Sequence, residues 1–243
     1  MSNPSTNPLT TVPVDYYPDF LKAVGPANEI FTQLDQELDW VQKPGVPRGE
    51  YYANDTNETY TYGQPPHART YTPQIWHPVL LEIRTALLRL IGTNLDVCFA
   101  NRYPTSRDHL GWHADDSPEM DQTAPIVTVS LGGERLIEFL EIGQPRETRQ
   151  SLMLEHGSAA VMRPGMQQTW QHRIPKAGFV VGPRISLTYR RYIDPEKVDE
   201  VHVKPCTECN GAGGWYIVQG EHADFDSETC PRCNGSRFEP TTT

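Results

Sequence analysis

RISLTYRRY, Arg184 to Tyr192, decides how the rest of the chain is read. In a strand, successive side chains alternate between faces. Ile185, Leu187 and Tyr189 then face one way, and Arg184, Ser186, Thr188 and Arg190 face the other. An edge strand in water tolerates such a polar face. On the inside of a small β-barrel, two arginines are costly without anionic partners. A dicarboxylate ligand supplies those partners, since arginine grips a carboxylate with two parallel hydrogen bonds. The strand alone leaves these readings even. Six residues of strand span about 20 Å, so both arginines reach one small ligand only by leaning inward or through a bulge. Otherwise Arg190 serves a second purpose.

Working outward, the texture after Gly92 is the same throughout. LDVCFANRY, PIVTVSLG, RLIEFLE, SLMLEHGS and AAVMR are short β-branched or alternating runs separated by turn residues. Regular short strands of this kind predict a sandwich or barrel. Before Gly92 the period is helical. PQIWHPVLLEIRTALLRLIG places Val79, Leu80, Ile83, Leu87 and Leu90 on one face after Pro78, and Gly92 ends it. NEIFTQLDQELDW spaces Ile30, Phe31, Leu34, Leu38 and Val41 as a second helix, with Asn28 as its cap. Between them lies a tyrosine-rich stretch full of turn residues, read as hairpins and loops. The fold class is therefore mainly β with flanking helices, the helices packed on one side of an antiparallel double sheet.

Composition narrows the function. The chain has 243 residues and a net charge of −10, which argues against a generic nucleic-acid binder. A local basic patch can coexist with an acidic whole. No apolar run approaches the roughly 20 residues that span a bilayer. The start lacks the basic and apolar regions of a signal peptide, so an intracellular protein, cytoplasmic or nuclear, is expected.

GWHADD, Gly111 to Asp116, carries the chemistry. His113 and Asp115 stand at i and i+2, so on a strand both point at one metal while Ala114 turns away. His172, in WQHRIPK, follows 57 residues after Asp115. Two histidines and a carboxylate form the facial triad of non-haem Fe(II) oxygenases, which leaves open positions for a co-substrate and O2. His-x-Asp alone is a weak signal, and a histidine such as His172 alone is more often a surface or hydrogen-bonded residue than a ligand. Asn101 and Tyr103 in NRY, again i and i+2, can donate hydrogen bonds into the same cavity, or merely lead a strand into a polar turn.

Together, NRYPTSRDHLGWHADD, PIVTVSLGGERLIEF, LEHGSAAVMR, TWQHRIPK and PRISLTYR resemble, in order and spacing, the AlkB family of Fe(II)- and 2-oxoglutarate-dependent dioxygenases. The resemblance is to nucleic-acid demethylases of the AlkB homologue 2 and 3 type, and runs from about Pro47 to Tyr192. It implies a double-stranded β-helix, a jelly-roll relative. It implies Fe(II) on His113, Asp115 and His172. Arg184 would hold the far carboxylate of 2-oxoglutarate, with Asn101, Tyr103, Ser186 and Arg190 lining the same pocket. The implied substrate is alkylated DNA or RNA, whose N-methyl groups leave as formaldehyde at the expense of O2 and 2-oxoglutarate. PRGEYY…YTYG and WHPVL resemble that subgroup's base-recognition hairpin and the helix after it. Tyr62 is the candidate to stack on a flipped base opposite His113, and Tyr60 to hydrogen-bond nearby, although tyrosines in a hairpin often simply pack. Asp116 can pair with Arg190 or touch the base edge. Two positions depart from the family pattern: Ser186 stands where asparagine is usual, and Ser117 where an acid commonly follows the ligand aspartate by two.

The tail is separate. Cys206, Cys209, Cys230 and Cys233 form C-x2-C-x20-C-x2-C, which suits a closed, structural Zn(II) site of four thiolates rather than disulfides. CTECNGAGG and CPRCNGS resemble half of the zinc region of DnaJ-type chaperones. Such a ribbon can bind nucleic acid, bind a partner protein or brace the C-terminus. Cys98 reads as a core residue. The expected organisation is a flexible segment over 1–25, a dioxygenase domain over 26–200 with a base-recognition hairpin region at 47–72, and a zinc ribbon over 201–243. A related oxygenase acting on RNA or on a protein side chain is the alternative reading, and a catalytically inactive binding module the third.

Overall fold

The computed structural model describes residues 9–43, 45–46, 48–62 and 68–193, together with the backbone of 214–216 and 227–229. Along the chain come β1 (Val14–Tyr17), α1 (Ala27–Glu37), β2 (Val41–Gln42) and β3 (Gly49–Asn54), then β4 (Tyr60–Tyr62), β5 (Arg69–Tyr71) and α2 (Pro78–Ile91). There follow β6 (Val97–Tyr103), β7 (Leu110–His113), β8 (Ile126–Gly132), β9 (Arg135–Glu141) and β10 (Gln150–Leu154). β11 (Ser158–Met162), β12 (Trp170–Ile174) and β13 (Arg184–Arg190) complete this unit, which extends to Ile193. A second unit, Asp194–Thr243, holds β14 (Gly214–Tyr216) antiparallel to β15 (Ser227–Thr229).

The first unit is a double antiparallel sheet. Seven strands run in the order β1-β11-β8-β13-β6-β3-β2, and four in the order β10-β9-β12-β7. The parity read from RISLTYRRY sorts its layers. Ile185, Leu187 and Tyr189 join Val127, Val129 and Leu131 of β8 in the cluster that packs under α1 and α2 through Leu34, Leu80, Ile83 and Leu87. The opposite face of the large sheet meets the small sheet, where Val14, Ile126 and Met162 pack on Ile137, Phe139, Leu154 and Trp170. Arg184, Ser186, Thr188 and Arg190 share that inner face, all buried. The edge-strand alternative is excluded, since β13 lies between β8 and β6.

Local chemistry explains the elements. In α2, Pro78 supplies a preset φ at the first helical position, the His77 ring accepts from the Val79 amide at 3.2 Å, and Gly92 closes the helix at φ 71°. Gly132, at φ 83°, ends β8 where a Cβ would overlap the Pro183 carbonyl. Only glycine lets that turn lie against the start of β13.

Three expectations are corrected. Helix α1 stops at Glu37 and has Pro26, not Asn28, before its first turn, with no side-chain cap. Leu38 is already extended at ψ 134°, so Val41 passes into β2, where it pairs with Glu50 and is exposed. The first 25 residues are not uniformly loose: Val14–Tyr17 pairs with β11, and Val14 and Tyr16 bury their side chains while Arg163 holds Asp15 outside. Pro13 precedes the strand, where its missing N–H costs an edge strand nothing. Among the described residues no helix is long and apolar enough to cross a membrane.

Candidate active site

Strand pairing assembles the triad. His172 on β12 lies directly opposite His113 on β7, with ring centroids 4.2 Å apart. Asp115, two residues past the end of β7, turns back beneath them and is 2 % exposed. Its carboxylate oxygens stand 3.9 Å from the Nε2 atoms of His113 and His172. That is too long for a hydrogen bond and leaves room for an ion between. All three ligand atoms lie within 4.8 Å of one another. The Asp115 backbone is fixed as well, its N–H donating to Gln167 Oε1 at 2.9 Å and its carbonyl accepting from Gln122 at 3.2 Å.

The protonation states suit a metal. His113 Nδ1 lies 2.9 Å from the Gly111 carbonyl. A carbonyl only accepts, so the proton sits on Nδ1 and the Nε2 lone pair faces the centre. Burial first, then the neighbouring His113, push His172 down to about 3, with Asp115 opposing. His172 is therefore neutral at pH 7. Burial pushes the Asp115 carboxyl up, but Arg190 foremost, and then His113 and His172, outweigh it and hold it below the ordinary carboxylate value. Two imidazole Nε2 atoms, that of His172 on a neutral ring, and one ionised carboxylate on one side of a small volume fit a divalent iron.

Arg190 is the second-purpose arginine that the strand length requires. Its Nη2 donates to Asp115 Oδ1 at 2.6 Å. Asp116 does not make this contact; it is exposed. Alternation through Ala114 accounts for the difference, because Asp115 turns inward and its neighbour cannot.

Arg184 stands at the other end of β13 and is fully buried. Nε donates to Ser130 Oγ at 2.9 Å and Nη2 to Ser186 Oγ at 3.2 Å, while Nη1 has no hydrogen-bond partner among the described residues. The Tyr103 ring centroid lies 5.2 Å from the guanidinium carbon. Burial pushes Arg184 down to about 10, so it remains a cation. A buried cation held by two hydroxyls, with one donor unmatched, fits an anionic ligand. Ser186, which stands in place of the family's asparagine, thus supports the arginine from its own strand.

Around the triad a pocket is lined by Arg48, Tyr60, Phe99, Asn101, Leu110 and His113, among others. Tyr60 is buried among Tyr52, Tyr71 and Phe99, with the Tyr71 ring stacked at 6.2 Å, so it packs as well as lining the pocket. Its hydroxyl lies 2.6 Å from Ser117 Oγ. Tyr62 is in β4, but its side chain lies outside the described residues, as do Cys206, Cys209, Cys230 and Cys233. Sequence reasoning missed Arg48, Glu50 and Gln167. Their roles depend on strand register across 50 or so residues, and the only local signal is a charged residue at alternate positions of a tyrosine-rich strand.

The family model of the 2OG-Fe(II) oxygenase superfamily matches residues 13–190, the whole of the double sheet. The chain belongs to that superfamily. Within it the chain groups with the AlkB homologues. It is 31 % identical over 203 residues to human alpha-ketoglutarate-dependent dioxygenase alkB homolog 3, covering 79 % of this chain and 70 % of that protein. It is 34 % identical over 188 residues to mouse DNA oxidative demethylase ALKBH2, covering 70 % and 77 %. Against bovine alkB homolog 3 it spans 63 % of the relative's length. The solved structure of OsALKBH1 shares the fold, with a TM-score of 0.55 at 16 % identity, over 75 % of this chain and 98 % of that one. The family implies Fe(II), 2-oxoglutarate and O2, and the donor set of this superfamily member accommodates the first two.

Proposed function

We propose that this protein is an oxidative demethylase that removes N-methyl groups from nucleic-acid bases, in the repair of alkylated DNA. The reading rests most on one arrangement: a His113–Asp115–His172 cluster, with Asp115 and His172 buried, and a buried Arg184 with a donor unmatched among the described residues, on facing layers of one double sheet. Relatives named as DNA oxidative demethylases support it.

Iron, when bound by His113, Asp115 and His172, supplies the activation of O2 that oxidises a substrate C–H bond. The other work belongs to the chain. Arg184, steadied by Ser130 and Ser186, offers Nη1 to the far carboxylate of 2-oxoglutarate. Tyr103, 1 % exposed, walls that end against water. Arg190 keeps Asp115 ionised and oriented. A flipped base rests near the His113 ring among Tyr60, Tyr71 and Phe99, which offer ring faces to a π-system. Oxidation of an N-methyl group leaves an N-hydroxymethyl group, which loses formaldehyde and restores the base.

The tail cysteines Cys206, Cys209, Cys230 and Cys233 belong to the same proposal as a structural Zn(II) ribbon, with a partner protein or nucleic acid as its contact. The setting is intracellular, cytoplasmic or nuclear. Turnover of methylated single-stranded DNA, duplex DNA and RNA, compared side by side, tests the substrate. Turnover of DNA supports the reading; turnover of RNA alone, or of none of the three, overturns it.

A further inference from the structure

At the start of β3, ahead of the aromatic cluster, Arg48 and Glu50 form an ion pair inside the protein. Arg48 is 8 % exposed and Glu50 1 %. Arg48 Nη2 donates to Glu50 Oε1 at 3.0 Å, and Arg48 Nε donates to Asn101 Oδ1 at 2.6 Å. An ion pair this deep is weak support for stability, because desolvation consumes most of its attraction. The triad and Arg184 leave it without a task.

Register shows where it acts. Glu50 lies opposite Asn101, Asn101 opposite Ser186, and Ser186 opposite Ser130. These four residues form one row across the inner face of the large sheet, and Ser186 and Ser130 are the hydroxyls that hold Arg184. Asn101 thus sits between the Arg48–Glu50 pair and the Arg184 site. An asparagine amide has an accepting end and a donating end. Arginine has donors only, so the end of Asn101 that meets Arg48 must be the oxygen. The NH2 group is thereby turned away from Arg48, and it makes no hydrogen bond among the described residues.

We propose that Arg48, braced by Glu50, is a positioning residue that locks Asn101 with its amide NH2 presented to the 2-oxoglutarate pocket. Glu50 fixes the guanidinium, the guanidinium fixes the amide, and the amide donates to the co-substrate. Without Arg48 the amide rotates freely and presents its oxygen to an anion part of the time. The inference rests on the reading that 2-oxoglutarate binds beside Arg184.

The test uses the full-length chain loaded with Fe(II) under anaerobic conditions, with 2-oxoglutarate binding followed by titration calorimetry. Arg48→Met alone strands the Glu50 carboxylate, so Arg48→Met/Glu50→Leu, which removes both charges, is measured beside it. Asn101→Asp keeps an acceptor for Arg48 but removes the donor. The expected result is weaker 2-oxoglutarate binding, on the order of tenfold, in the double variant and in Asn101→Asp. The double variant keeps its thermal transition, and its KM for 2-oxoglutarate rises by more than its KM for methylated oligonucleotide. Wild-type 2-oxoglutarate affinity in the double variant, with affinity lost in Arg184→Ala, overturns the positioning role and spares the co-substrate site. A rise confined to the oligonucleotide KM also overturns it, by assigning the pair to the base pocket. Wild-type affinity in Arg184→Ala removes the co-substrate reading itself.

Discussion

Arg190 Nη2 lies 2.6 Å from Asp115 Oδ1, the same carboxylate that faces both triad histidines. The strand that carries Arg184, proposed to hold the co-substrate, at one end thus braces the proposed metal ligand Asp115 at the other. Arg190→Met should therefore weaken Fe(II) retention by about 10- to 100-fold, measured by competition with a chelator. The 2-oxoglutarate affinity of iron-saturated protein should change far less. Unchanged iron affinity would reduce Arg190 to a packing residue.

Arg184 has function and stability opposed. It is a fully buried cation with no ion-pair carboxylate among the described residues, held by Ser130, Ser186 and the Tyr103 ring. Arg184→Met should raise the KM for 2-oxoglutarate by about 100-fold or more, since a buried charge-assisted contact is lost. The ligand-free variant should melt no lower than the wild type, because an uncompensated buried charge has been removed. A variant that melts well below the wild type would mean the arginine supports the fold.

His172 makes the stability of the metal-free protein depend on pH. Burial and His113 push it down to about 3 from the ordinary 6.5. Below 6.5 the unfolded chain takes up a proton that the folded protein refuses until near 3. The contribution is whole above 6.5 and is lost as pH falls toward 3. From pH 7 to 5 the metal-free wild type should lose on the order of 4–8 °C more in Tm than His172→Gln. Parallel curves would show that His172 is not buried as a neutral ring.

How much of this was legible without coordinates depends on how local each signal is. The alternation in RISLTYRRY sorted β13 correctly because parity is a property of consecutive residues. Helix α2 was bounded by Pro78 and Gly92 for the same reason. The His113–Asp115 pair is local too, and His172 joined it through resemblance before register placed it opposite His113. Arg48 and Glu50 were invisible, because a charged pair on a tyrosine-rich strand reads as a solvated face until β3 is known to lie against β6. The same non-locality hid the strand at Val14–Tyr17, whose partner β11 is more than a hundred residues away. Asp116 reads as a partner for Arg190 only because it follows Asp115 directly; the contact belongs to Asp115.

The tail makes an independent claim. The full chain should carry one Zn(II) in addition to iron, and Cys206→Ser or Cys230→Ser should release it. Metal analysis of the purified variants, alongside their 2-oxoglutarate turnover, separates the two metals. Retention of zinc by both variants would remove the four-thiolate site.

The central claim is that the triad and the arginine site serve one oxidative reaction on a methylated base. Formaldehyde and succinate should be quantified together from a DNA oligonucleotide carrying N-methylated bases, with Fe(II), 2-oxoglutarate and O2. Equimolar release by the wild type, and loss of both products in His113→Ala, is the result this account predicts. Succinate without formaldehyde, or formaldehyde at wild-type rate from His113→Ala, would contradict it.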